Sequence, residues 1–128
     1  MTLKPQFLPV GSIVEYNIGQ CDDENWNPIS ISITDIEDLI GNSEIFNQYY
    51  RPLKLTPEIL TDWCGAEFNH KVRKNNFYSL GDFYVMFDGK KVYFYANHIS
   101  VPFCELQYLH ELQLLFLGFK TVLPITIK

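Results

Sequence analysis

Three histidines (His70, His98, His110) and three cysteines (Cys21, Cys64, Cys104) are the side chains of this 128-residue chain best suited to ligate a metal or act as nucleophile and base. Cys104 stands six positions from both His98 and His110. That spacing matches no zinc ligand set, since such sites use short C-x-x-C or H-x-x-x-H intervals. A Cys/His nucleophilic pair needs a thiolate beside a base, with a third group to orient them. Cys64 follows Trp63 on the apolar side of a short helix, and Cys104 lies in the apolar stretch from Phe103 to Leu106. Both read as buried thiols, the usual state of unpaired cysteine. The adjacent acids Asp22-Asp23-Glu24 and Glu37-Asp38 lack the alternating oxygen ligands and turn glycine of a calcium loop. No phosphate-cradling glycine loop, H-E-x-x-H or G-x-S-x-G elbow occurs. The expectation is a chain with no catalytic residue, no metal and no cofactor. A small enzyme using His110 or Cys104 is kept as an alternative.

Two other constellations point to binding. Tyr84, Met86, Tyr93 and Tyr95 fall on one face of a β-hairpin, with Lys90 and Lys91 beside them. Aromatic rings on a sheet beside bases can stack unpaired nucleobases. The plainer reading is that this face is covered by another layer, tyrosine being common there because its hydroxyl reaches the edge. On a 100° wheel, Leu106, Leu114 and Leu117 gather around His110 on one side of a C-terminal helix, opposite the stripe that should enter the core. Three leucines on an outward face need covering, by a second layer of the same domain or by a partner.

The elements that must position these residues follow from periodicity. Gly11–Ile18 alternates Val14, Tyr16 and Ile18 with polar residues, and Ile29, Ile31 and Ile33 alternate with Ser30, Ser32 and Thr34. They predict an antiparallel strand pair joined by an acidic loop over 19–28. Residues 34–41 predict a helical turn capped by Thr34 or Asp35 and ended by Gly41. Residues 42–54 are ambiguous between turn and strand. Thr56-Pro57-Glu58 is a helix start, with Ile59, Leu60, Trp63 and Cys64 on one face and Gly65 at the end. Phe83–Phe87 and Val92–Tyr95 predict a hairpin whose tight turn is either Asp88-Gly89 or Gly89-Lys90, Phe83, Val85, Phe87, Val92 and Phe94 sharing a face in both cases. Glu105–Leu117 predicts the longest helix, with Tyr108, Leu109, Leu112, Leu115 and Phe116 toward the core. The apolar tail from Val122, broken by Pro124, suits an edge strand. The predicted fold is a single α+β domain over 1–128, an antiparallel sheet with an aromatic hairpin and two helices, the longer one C-terminal.

Composition bounds the partners. The net charge is −5, with 47% hydrophobic and 16% aromatic residues, which excludes wholesale disorder. Residues 1–63 hold ten acids against three bases, and residues 64–128 five acids against seven bases. An acidic chain disfavours non-specific nucleic-acid binding, while its acidic half aids solubility or suits a basic partner. Three widely spaced cysteines argue against a disulfide framework and for a reducing compartment. No apolar run approaches the ~20 residues of a membrane span, and no leader is seen at the N-terminus. A cytoplasmic setting is expected.

Three stretches resemble one known family. Leu8-Pro9-Val10-Gly11-Ser12-Ile13-Val14 is similar to its opening L-R-I-G-N-x-V pattern, with Pro9 and Ser12 departing from it. Arg51–Leu60 (RPLKLTPEIL) resembles its P-I-P-L-T-E-E-W-L segment, and Trp63–Phe68 stands for the K-x-G-F that follows. Glu105–Phe116 (ELQYLHELQLLF) resembles its terminal K-Y-V-H-Q-L-Q-N-L-Y-F helix. The family consists of small uncharacterised proteins of Bacteroidetes genomes, prophages and phages. The resemblance implies a phage or mobile-element context, in host cytoplasm or phage particle, and no activity, cofactor or catalytic residue. Glu111 stands where the family often has Gln, and Leu114 where it often has Asn, which makes the outward helix face more apolar. The function expected is a non-enzymatic protein-interaction or structural module working through Leu106, His110, Leu114 and Leu117. Its partner is another protein or a second copy, and the acidic 19–28 loop is a further contact. The alternative is a single-stranded nucleic-acid-associated domain stacking bases on Tyr84, Tyr93 and Tyr95.

Overall fold

The β-forming run from Ile13 to Asn17 builds strand β1 (Ile13–Asn17), its first two residues buried and the next three half-buried. The computed structural model describes residues 10–17, 24–96, 102, 104–119 and 121–128. β1 pairs antiparallel with β2 (Trp26–Ser30) on one side and β3 (Tyr50–Pro52) on the other, with Val14 opposite both Ile29 and Pro52. Cys21, Asp22, Asp23 and His98 lie outside the described residues, and β2 already begins inside the expected 19–28 loop.

The β2 pattern continues to Ile33 in sequence, but the strand stops at Ser30. Ser32 caps a helix instead. The Asp35 amide donates to Ser32 Oγ at 3.2 Å, and the Ser32 amide donates to Asp35 Oδ2 at 2.9 Å. This reciprocal capping box starts α1 (Ile33–Gly41) two residues earlier than a Thr34 cap would. α2 (Ser43–Tyr49) follows directly, and Val14, Ile31, Leu39 and Phe46 form a buried cluster with Ile29, Ile36 and Tyr50 packed against it.

The chain divides into two compact units, Met1–Lys54 with Tyr108–Val122, and Leu55–Gln107 with Leu123–Lys128. The first holds the three-stranded sheet, α1, α2 and α3 (Leu109–Gly118). Two hydrogen bonds tie α3 to the start of β1: the Ile13 amide donates to Gln113 Oε1 (2.8 Å), and Gln113 Nε2 donates to the Gly11 carbonyl (3.0 Å). The Leu109 amide donates to the Leu53 carbonyl (2.9 Å). α3 is shorter than the expected 105–117 helix because residues 104–106 form a strand.

The second unit opens on the expected capped turn. The Ile59 amide donates to Thr56 Oγ1 at 3.2 Å. The Thr61 hydroxyl takes the Pro57 carbonyl (3.0 Å), and the Cys64 amide reaches back five residues to the Ile59 carbonyl (3.2 Å). Ile59–Trp63 is therefore π-helical, and Gly65 at φ +74° ends it. A five-stranded antiparallel meander follows: β4 (Glu67–Val72), β5 (Asn75–Leu80), β6 (Phe83–Phe87), β7 (Val92–Ala96) and β8 (Cys104–Leu106), hydrogen-bonded in that order.

The β6–β7 pair is the expected hairpin, Val85 opposite Phe94 and Phe87 opposite Val92. Its turn is Gly89-Lys90, since the Asp88 amide donates to the Lys91 carbonyl (3.2 Å) and Gly89 holds φ +96°. The Asp88 carboxylate accepts the Lys91 and Lys90 amides at 2.7 and 2.9 Å, which holds its carboxyl below the usual carboxylate range. Val85, Phe87, Val92 and Phe94 are buried on the inner face with Leu80. Residues 122–127 add no strand: Leu123 is buried, and the Thr126 amide donates to the Trp63 carbonyl (2.9 Å). The expected α+β class is what the chain adopts, with its strands shared between two antiparallel sheets.

Candidate functional site

The helix face predicted for interaction is divided by the structure. Leu106 is not helical: it ends β8, opposite Val92, and is 3% exposed. Leu106 is corrected on that ground, a strand pairing having replaced the first turn of the expected helix. His110 is corrected too. It begins α3 among Leu109 and Leu112 and is itself 3% exposed, because a first-turn side chain on α3 lies beside Tyr108, ring centroids 5.9 Å apart and nearly parallel. Only Leu114 and Leu117 face outward, at 37% and 42% exposure, with Phe119 and Val122 exposed just beyond.

Burial has an electrostatic consequence for His110. Its Nδ1 is buried with no hydrogen-bond partner among the described residues. Desolvation pushes its pKa below 6.5, against a weaker upward pull from Glu111. The unfolded chain then takes up a proton near pH 6.5 that the folded chain refuses. The stability due to neutral His110 is present above pH 6.5 and is lost as pH falls from there through the lowered value. We expect urea midpoints of the wild type to fall between pH 7.5 and pH 5, about two and a half units spanning the histidine range. His110→Leu should lose that component. Equal pH dependence in both proteins would disprove the assignment.

The tyrosine face is brought together. Register places Tyr84 opposite Tyr95 and Met86 opposite Tyr93, with Phe77 of β5 opposite Met86. The face extends further than the sequence indicated, since His70 of β4 stands opposite Phe77, their rings parallel at 4.7 Å. Phe77 also meets Tyr95 at 5.7 Å. Phe77, Tyr84, Tyr93 and Tyr95 are all partly exposed, while Met86 is buried.

One site was not visible in sequence. Tyr16, Asp38, Asn42, Phe46, Tyr49 and Tyr50 line a cleft of about 350 Å³ in the first unit. Phe46 and Tyr50 stack at 3.9 Å, and Tyr16 tilts against Tyr50 at 4.9 Å. The Tyr50 hydroxyl donates to Asp35 Oδ1 at 3.0 Å. Burial works to raise the Asp35 pKa, but the Ser32 amide and hydroxyl and the Tyr50 hydroxyl outweigh it and hold the carboxyl below its ordinary value. Burial and the same bond push Tyr50 well above the usual phenol value. Both groups keep their charge states at neutral pH and act as a brace for the cleft wall. The signal in sequence was Tyr49-Tyr50, where helix gives way to strand. Nearby, the Arg51 guanidinium lies 4.0 Å over the Trp26 ring and pairs with Glu15 directly opposite it on β1.

The nucleophile candidates fare as follows. Cys64 is buried, and burial pushes its thiol up to about 12, so no thiolate forms near neutral pH. Cys104 is partly buried at the start of β8. Among the described residues, no three His, Cys, Asp or Glu side chains converge as a metal set would. No helix among them is long and apolar enough to cross a membrane. Comparison with family models, with curated proteins and with solved structures finds no match to this chain.

Proposed function

We propose that the chain is a non-enzymatic protein-interaction module of the kind Bacteroidetes phages and prophages carry, acting in the host cytoplasm or the phage particle, and that α3 presents its contact surface. The observation that carries this is the exposure of Leu114 and Leu117, one turn apart, on a helix whose opposite side buries Leu109, Leu112 and Phe116. That opposite side already anchors the helix, so folding does not require leucine on the outer one. Apolar side chains gathered on a solvent face mark contact sites.

The test is a pair of charge insertions, Leu114→Glu with Leu117→Glu. Wild-type protein should show either a concentration-dependent mass above 15.0 kDa in light scattering or a specific crosslinked partner. The double variant should keep its circular dichroism and weaken the association about 10-fold or more, as truncating a contact centre does. A wild type that stays monomeric and captures no partner would remove the reading.

A further inference from the structure

We propose that the outer face and one end of the five-stranded sheet form a docking surface for single-stranded nucleic acid. The end is defined by strand order. In an antiparallel meander, alternate turns share one end of the sheet. Val72 pairs with Asn75, Asn76 with Phe87, and Phe87 with Val92, so the β4–β5 and β6–β7 turns lie at the same end, two strand spacings or about 10 Å apart. The first turn carries Arg73 and Lys74 with Lys71 just before it, and the second carries Lys90 and Lys91. All five are exposed. They are half of the ten Lys and Arg residues in the whole chain.

The chain's overall acidity does not describe this end. Its acid, Asp88, is bound by the amides of Lys91 and Lys90, and Glu67 and Asp82 belong to the far end of the strands. The aromatic face carries Glu105, opposite Tyr93, and Glu67, which at its far end shares the row of Ser79, Tyr84 and Tyr95. Beside the basic end lie the exposed ring of His70 and the partly exposed rings of Phe77 and Tyr93, with the Tyr84–Tyr95 pair one row further along. Bases without rings would suit any polyanion, and rings without bases any apolar surface. Together they match a chain that alternates phosphate charge with flat π faces. Duplex bases are stacked on one another and present no free face to a sheet, so the strand accommodated is unpaired. The surface belongs wholly to the second unit and α3 to the first, so this proposal and the one above stand or fall separately.

The experiment is fluorescence anisotropy with a 5′-fluorescein oligo-dT of about 12 nucleotides, within the range one such fold covers, titrated at low salt. The same sequence as a duplex, and polyglutamate as competitor, accompany it. Wild type should prefer the single strand over both. Tyr93→Ala with Tyr95→Ala should weaken binding about 10-fold or more, whereas Tyr93→Phe, which keeps the ring, should bind as wild type does. Lys90→Ala with Lys91→Ala should make the log–log salt dependence shallower by about 1.4, near 0.7 per lost phosphate contact. No wild-type binding at low salt would overturn the proposal. Equal affinity for duplex would do so as well, and full displacement by polyglutamate would reassign the surface to acidic proteins. If the alanine pair fails to fold, the lysine pair and the ultraviolet crosslink site on wild-type protein decide, a crosslink outside residues 70–95 counting against it.

Discussion

Phe94→Ala should lower the unfolding free energy by about 3–5 kcal/mol, the usual cost of emptying a buried aromatic site. Phe94 has no exposed surface; it sits opposite Val85 and 5.1 Å from the Phe83 ring. A domain of ordinary size has only about 5–15 kcal/mol to lose, so this one change would leave the protein marginal. The informative comparison is Tyr93→Ala, one residue earlier and on the opposite face of the same strand. Its loss should stay near 1 kcal/mol, the centre of the distribution for point changes. Urea unfolding followed by far-ultraviolet circular dichroism measures both. Equal losses would mean that the two faces of β7 are packed alike and that the aromatic face is not an open surface.

Leu112→Ala should cost about 2–5 kcal/mol, since Leu112 is fully buried on α3 and the lost side chain leaves a cavity. Leu114→Ala, two residues on, should change stability by no more than about 0.5 kcal/mol, as surface substitutions do. A cost for Leu114 as large as that for Leu112 would place Leu114 in the protein's own packing and withdraw it from the proposed contact surface. The two alanine changes thus decide whether α3 has one apolar side in use or two.

The elements legible in sequence were those with two strong signals at once. The hairpin had strict alternation plus a glycine turn, and its faces came out as read, with only the turn register left for the Asp88 carboxylate to settle. The Thr56 cap and Gly65 end were read from residue type and hold, although the turn between them widened where Thr61 took a backbone acceptor. Signals failed where one pattern served two structures. Ile29, Ile31 and Ile33 alternate like a strand, yet Ser32 and Asp35 lock a helix start inside that run. β4 drew no reading from the sequence, because every one of its residues is exposed and it has a partner on one side only. β8 is three residues long, too short for any period to show. That hidden strand carried Leu106 out of the predicted helix face. The cleft around Tyr50 joins residues from β1, α1, α2 and β3, and no local spacing announces such a meeting.

β4 also bears on what copies of the protein do to one another. A bare sheet edge is a template on which another chain can add a strand. Here the exposed edge is broken by a register shift between Phe68 and His70, and Lys71 and Arg73 stand along its exit. The opposite edge, β8, is only three residues long and offers Glu105. A second sheet approaching β4 would meet an interrupted ladder and a positive charge that it carries itself. The residues that make one end of this sheet basic therefore also act as gatekeepers against edge-to-edge aggregation. Neutralising them would affect the shelf life of concentrated protein as well as its affinity for a polyanion.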